Sequence, residues 1–288
     1  MNIQWYPGHM AKTKRIIKEN IKLVDVVVEL LDARIPRSSK NPDIDELAAN
    51  KKRIVVLNKA DLSDDKSNLM WKEYYETLGF KAVLCALHKD KNINEIENAA
   101  RFLTREKAER LKAKGVLHMP VRLMILGIPN VGKSTLINKY IGKAITKTAD
   151  RPGVTRGVQW IRVKKDFELL DTPGVLWPKF DDPTAGLHLA YTGAINDQIM
   201  DVITLARSFG ADILRLYPDA LNERYGAGIN FAEDNDINNG DVLEKIGKAR
   251  GFLKRGGEID IERTAVMLID EFRAGKLGRI CLERTNED

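Results

Sequence analysis

Cysteine is nearly absent from this chain. Two residues in 288, Cys85 and Cys281, cannot make a disulfide framework, and a reducing compartment is expected. Long hydrophobic runs are missing too. The densest stretch, 26–31, is broken by Glu29 and falls far short of the roughly 20 apolar residues that span a bilayer, so no membrane segment is expected. Residues 2–10 hold Trp5, Tyr6, Pro7 and His9 but no apolar core of the secretory kind. No internal repeat or low-complexity tract occurs. What is present is 43% hydrophobic and 31% charged residues, enough to bury a sizeable core, which excludes a largely disordered chain. At roughly 100–200 residues per domain, the length fits one large domain or two modest ones.

Charge is unevenly divided between the two parts of the chain. Residues 1–180 carry 34 Lys/Arg against 21 Asp/Glu, a net of +13, and residues 181–288 carry 13 against 20, a net of −7. The basic first part suggests an anionic partner, with nucleic acid the commonest candidate. Lys12, Lys14, Arg15, Lys18 and Lys22, beside Trp5 and Tyr6, suit phosphate contact and base stacking. Lys245, Lys248, Arg250, Lys254 and Arg255 form a second, local basic group.

Apolar, β-branched runs at 24–31, 53–57, 81–85 and 121–126 read as buried parallel strands, and 158–164 with 167–170 read as a hairpin. Helical segments near 64–78, 94–114 and 134–141 alternate with them, which predicts an α/β domain with helices on both faces of its sheet. After Asp171 the pattern changes, and helical spacing appears at 197–209, 241–254 and 261–274. The expected division is an α/β domain over 1–179, with a basic N-terminal segment 1–22, followed by an all-α domain over 180–288.

Gly127-Ile128-Pro129-Asn130-Val131-Gly132-Lys133-Ser134 matches the P-loop pattern after a strand and before a helix, where backbone amides and the helix terminus cradle phosphates. Val131, Gly132, Lys133, Ser134 and Thr135 are placed on the phosphates, with Ser134 on Mg²⁺. Asp171-Thr172-Pro173-Gly174 follows a strand end, as an Mg²⁺-binding aspartate and a γ-phosphate-sensing glycine amide should. Asn58-Lys59-Ala60-Asp61 closes the second strand and looks like a guanine reader. Asp61 accepts from the ring N–H and exocyclic amine, Asn58 ties the loop to the P-loop, and the Lys59 stem covers the base. Cys85-Ala86 ends the third strand, where the Ala86 amide is placed to donate to guanine O6. Cysteine stands there where serine is frequent.

The order of these motifs is unusual, because the guanine motif precedes the P-loop. A sheet keeps the Ras-like arrangement if the ordinary termini are joined, here by the basic stretch Arg101–Lys114, and new ones are cut elsewhere. The permuted order, Asp32-Ala33-Arg34 after the first strand, Pro7-Gly8-His9-Met10, and Arg151-Pro152-Gly153-Val154-Thr155 ahead of Asp171 resemble the ribosome biogenesis GTPase A family (YlqF or RbgA) over nearly the whole chain. The resemblance implies a circularly permuted Ras-like P-loop GTPase domain followed by a small helical domain that contacts ribosomal RNA. It implies a cytoplasmic GTP hydrolase that binds a late precursor of the large ribosomal subunit and leaves after hydrolysis; separately, nothing in the sequence suggests an obligate oligomer, and a monomer is expected when free.

Aligned on that family, Thr155 is a switch threonine completing the Mg²⁺ shell. Asn130 is similar to the asparagine that holds K⁺ near the phosphates in some GTPases. Val175 occupies the position of the water-orienting glutamine of Ras-type enzymes and cannot orient water. The resemblance points instead to His9, whose imidazole would orient the attacking water or take its proton. His88, His118 and His188 carry no recognisable constellation. Two alternatives stand beside this reading: a GTP-gated switch for a non-ribosomal partner, and a small-molecule kinase, which lacks an evident acceptor site here.

Overall fold

A computed structural model describes residues 9–89, 92–116, 119–144, 160–164, 166–170, 182–195, 201–226, 228 and 241–285, and for 9–13, 143–144, 164 and 241 the backbone alone. Six strands make one sheet: β1 (Val26–Asp32), β2 (Lys52–Asn58), β3 (Lys81–Leu84), β4 (Val121–Gly127), β5 (Trp160–Lys164) and β6 (Phe167–Leu170). Their spatial order is β3-β2-β1-β4-β6-β5, all parallel except the β5–β6 hairpin at one edge. The register aligns the carboxyl ends of the central strands. Asp32 lies beside Asn58, Leu30 beside Gly127, and Leu57 beside Leu84. Loops leaving four strands therefore converge on one rim, the place where open α/β sheets bind ligands.

Every residue of β1 is buried, as expected of a central parallel strand covered on both faces. Glu29, which interrupts its apolar run, pairs with Arg53 of β2, and Arg53 also reaches Asp45. Burial pushes the Glu29 carboxyl up, with Arg53 pulling against it.

Ten helices are present among the described residues: α1 (His9–Asn20), α2 (Pro42–Leu47), α3 (Asp65–Thr77), α4 (Ile93–Ala113), α5 (Lys133–Ala144), α6 (Pro183–Tyr191), α7 (Val202–Leu216), α8 (Ala220–Tyr225), α9 (Asp241–Ala249) and α10 (Ile261–Arg273). Short polar side chains start several of them. Asn41, Asp64, Asp182, Asp201 and Asp260 each accept from a backbone amide in the following turn, and Pro42 and Pro183 occupy first-turn positions. Helix α4 links β3 to β4, so the basic stretch at 101–114 does join the two halves of the sheet.

The sequence expectations differ from the structure at several ends. The first strand begins at Val26 rather than Val24, because Ile21–Leu23 form a helical turn closed by the Val24 amide on Ile21 O. The helix expected over 197–209 runs over Val202–Leu216, its start fixed by the Asp201 cap. Helix α9 stops at Ala249, since Gly251 takes φ +66° and the chain turns into a short bridge between Leu253 and Ile259. The 6- and 9-residue helices α2, α6 and α8 were too short to show a period.

Helices α7 and α10 are the centre of the helical part, with Phe209 and Phe272 ring centroids 4.6 Å apart. One buried apolar cluster runs from the sheet, through Val28 and Ile125, into Ile213 and Leu268. The expected domain division at 179/180 lies outside the described residues. After α10 the chain returns across the carboxyl rim of the sheet. Ile280 N donates to Leu62 O at 2.9 Å, Leu282 N to Arg34 O at 2.8 Å, and Trp71 Nε1 to Glu283 O at 3.3 Å.

Candidate nucleotide site

Four loops build the rim: 32–39 after β1, 58–63 after β2, 85–89 after β3 and 127–133 after β4. Asn58 laces three of them. Its Nδ2 donates to Val131 O of the P-loop at 2.7 Å, and its Oδ1 accepts from Leu87 N at 3.1 Å. Ala60 N adds a bond to Cys85 O at 2.9 Å. Gly132 takes φ +108°, and a Cβ there would stand 2.3 Å from Asn58 Nδ2. The second P-loop glycine is thus required by backbone conformation and by the close approach of the guanine motif.

Lys59 also adopts a left-handed backbone, φ +59°. Its Nζ donates to Asp32 Oδ2 at 2.8 Å. Asp32 is gripped from its other side by Arg34, with Nε 2.9 Å from Oδ1 and Nη2 2.8 Å from Oδ2. Burial alone would raise the Asp32 carboxyl; Arg34 and Lys59 outweigh it and hold the group well below the usual carboxylate range. The Asp32-Ala33-Arg34 marker is therefore the support of Lys59, a role its sequence does not reveal.

Asp61 is the chemically open group. Both of its carboxylate oxygens are buried and accept no hydrogen bond. Lys89 Nζ forms an ion pair with Oδ2 at 2.7 Å, and His88 Nε2 stands 3.2 Å from the same oxygen. Oδ1, buried and without a partner among the described residues, is an acceptor that a ligand donor can meet. Cys85 is buried, its thiol pushed up to about 12 by that burial, so it is an uncharged packing group at neutral pH. Ala86 is buried beside it.

In the P-loop, Lys133 Nζ donates to Ile128 O. Ser134 is exposed at the second position of α5, and Thr135 follows it. A hydroxyl at that helix start is a hard oxygen donor of the kind Mg²⁺ takes. Asn130 sits at φ +58°, and its Nδ2 donates to Gly193 O at 2.6 Å, at the end of α6. The phosphate loop is thereby bonded to the helical part. Asn58, Lys59, Leu87, His88, Asn130, Gly132 and Thr135, with Arg273 and Ala274 from the end of α10, line a cavity of about 360 Å³. A larger groove of about 750 Å³ flanks α10 around Phe252, Arg263, Val266 and Met267. It holds none of the motif residues, and the chemistry assigns the smaller cavity.

Thr155, Asp171, Gly174 and Val175 lie outside the described residues. His9 begins α1, and its side chain lies outside them as well, as does His118. Sequence reasoning passed over two contacts. His88 stands beside Asp61, as given above. His188 is buried, with Nδ1 2.9 Å from Glu283 Oε1 and 3.2 Å from Ser38 Oγ, so it joins α6, the 32–39 loop and the chain end. The basic groups are partly committed to the fold. Lys14 pairs with Asp43, and Arg250 reaches Glu271 and the Tyr225 ring, whereas Lys18, Lys22, Lys248, Lys254 and Arg255 are exposed.

Comparison with known proteins agrees with this geometry. A family profile described as 50S ribosome-binding GTPase matches residues 122–223. Ribosome biogenesis GTPase A of Bacillus cereus is 47% identical over 287 residues, covering 100% of this chain and 95% of that one. Ribosome biogenesis GTPase A of Thermotoga maritima is 32% identical over 286 residues, covering 99% and 95%. Among solved structures, GNP-bound YlqF from T. maritima aligns with TM-score 0.64 and 27% identity, over 96% of this chain and all of that one. A GDP-bound YlqF aligns at 0.62 and 27%, over 94% and 99%.

Proposed function

The chain belongs to the ribosome biogenesis GTPase A family, and from that premise we propose that it binds a late precursor of the large ribosomal subunit and its rRNA in the GTP form and leaves after hydrolysis. GTP is its substrate, and it is a GTPase of ribosome biogenesis with a permuted P-loop domain. We place it in the cytoplasm, as a monomer when free. No described helix is long and apolar enough to cross a membrane. The kinase alternative falls with family membership.

The observation that carries the base assignment is the lacing of Asn58 to the P-loop beside the buried Asp61 carboxylate, whose Oδ1 accepts no hydrogen bond among the described residues while Oδ2 pairs with Lys89. Asp61 accepts from the guanine N1–H and 2-amine. Asn58 holds that reader at a fixed distance from the phosphate cradle. The Lys59 stem covers the base while Asp32 fixes its ammonium. Backbone amides at 131–135 and the Lys133 ammonium bind the phosphates. Ser134, Thr155 and Asp171 would hold Mg²⁺, which neutralises charge between the β- and γ-phosphates when bound. Asn130 would offer its carbonyl oxygen to K⁺; its nitrogen is the atom that Gly193 engages. With valine at 175, His9 orients the attacking water or takes its proton.

The test is GTP turnover with and without purified large-subunit particles, in potassium and in sodium buffer. Strong stimulation by the particle, greater in potassium, is expected, with His9→Ala losing roughly 10²–10⁴-fold of the stimulated rate. Equal turnover with and without both mature and precursor particles would replace this reading with the non-ribosomal switch.

A further inference from the structure

We propose that the segment following α10 positions the guanine-reading loop through Arg279, so that base selectivity depends on a residue 219 positions from Ala60. The inference rests on the reading of Asp61 as the guanine acceptor.

Ala60–Ser63 is a short loop between β2 and α3, held from outside by three successive features. The Arg279 fork takes both carbonyls that bracket Asp61 and Leu62. Its Nε donates to Ser63 O at 2.8 Å, and its Nη2 to Ala60 O at 3.0 Å. The guanidinium plane is itself fixed by Asp65, whose two oxygens accept from Nη1 and Nη2 at 2.6 Å each. Ile280 N then donates to Leu62 O at 2.9 Å. Leu62 packs against Gly275, where a Cβ would stand 2.6 Å from Leu62 Cδ2. Asn68 Nδ2 holds the same two carbonyls from α3, Ala60 O at 2.8 Å and Ser63 O at 3.3 Å, and the returning segment adds the bond to Leu62 O and the grip on Asp65.

A carboxylate that accepts two bonds from one base edge must be held to within about 0.5 Å. Among the described residues neither Arg279 nor Asp61 lines the cavity, whereas their loop neighbours Lys59 and Leu62 do; Arg279 acts through the loop backbone as a positioning residue. Lysine cannot replace it, because a single ammonium lacks the planar fork that spans two carbonyls and a carboxylate.

The experiment measures GDP and IDP affinities by calorimetry on the full chain and on Arg279→Ala, Arg279→Lys and Asp61→Asn. IDP lacks the exocyclic amine, so the GDP-to-IDP ratio reports that bond to Asp61. Arg279→Ala and Arg279→Lys are expected to lower the ratio by about tenfold or more, because GDP loses two bonds to Asp61 where IDP, which keeps only N1–H, loses one. A wild-type ratio in Arg279→Ala, or its full restoration in Arg279→Lys, would overturn the proposal. Asp61→Asn separates the two layers of inference. An unchanged ratio there removes the guanine reading and this proposal with it, whereas a lost ratio there beside a kept one in Arg279→Ala removes the proposal alone. Hydrogen exchange on the unmodified chain needs no variant to fold. Saturating GDP is expected to slow the Ile280 amide several-fold, since coupling is reciprocal, and equal exchange with and without GDP overturns the coupling.

Discussion

Asp32 shows how much one residue can carry. Its carboxylate is buried between two cations, and each grips an oxygen within 3 Å. Because its folded pKa is depressed, its stabilisation is complete at neutral pH and is lost as pH falls below the ordinary carboxylate range. Asp32→Asn leaves Arg34 and Lys59 facing a neutral amide. We expect a loss of about 3–5 kcal/mol in denaturant unfolding at pH 7. The gap between parent and variant should narrow as the pH is taken below about 4, where the unfolded parent takes up a proton that the folded carboxylate, held well below that range, still resists. A gap that stays constant with pH would show that the carboxylate charge is not what stabilises this loop. The identities of Asp32 and Arg34 were legible as a motif. Their partner Lys59 was not, since only the β1–β2 register brings residue 32 beside residue 58.

At the scale of elements, the start of α3 joins local and distant constraints. Asp64 accepts from Ser67 N at 2.8 Å as a helix cap and from Tyr217 Oη at 2.7 Å. Burial raises its carboxyl, but the hydrogen bonds from Ser67 and Tyr217 prevail and lower it. Asp64→Ala removes the cap and leaves the tyrosine hydroxyl without this acceptor, at a cost of about 2 kcal/mol. Asp64→Asn keeps a capping oxygen and should lose less than half of that in thermal unfolding. If alanine and asparagine were equally harmful, the cap would not be the source. The cap was readable from an aspartate ahead of a helical period. Its second partner lies 153 positions away and was not.

Across the whole molecule, the helical part and the chain end are built into the nucleotide rim. Asn130 bonds Gly193, the Arg34 guanidinium lies 4.9 Å over the Phe272 ring, and Ser38, His188 and Glu283 meet in one buried polar contact. These contacts join the rim of the sheet directly to the helical part. The same scale governs the partner. With Lys18 on α1, Lys22 in the turn after it, and Lys248, Lys254 and Arg255 at and beyond the end of α9 exposed, phosphate contact by about four of these five predicts a roughly 10²-fold loss of affinity for ribosomal particles between 50 and 200 mM salt. Sedimentation binding across that range measures it, and a flat salt dependence would rule out phosphate contact as the basis of binding.

The sequence by itself determined the strands, the P-loop, the guanine motif and their permuted order. Those features are local: apolar runs for buried strands, glycines where a backbone must bend, and polar caps where a helix starts. It also offers Asn58 and Asp61 as a candidate base reader. Only the tertiary structure decided what holds that reader. The grip of Asn58 on Val131, of Asp32 on Lys59 and of Arg279 on the Asp61 loop are contacts between segments far apart in the chain. No composition or period encodes them, because they arise when parallel strands align their carboxyl ends and the segment after α10 folds back across that rim.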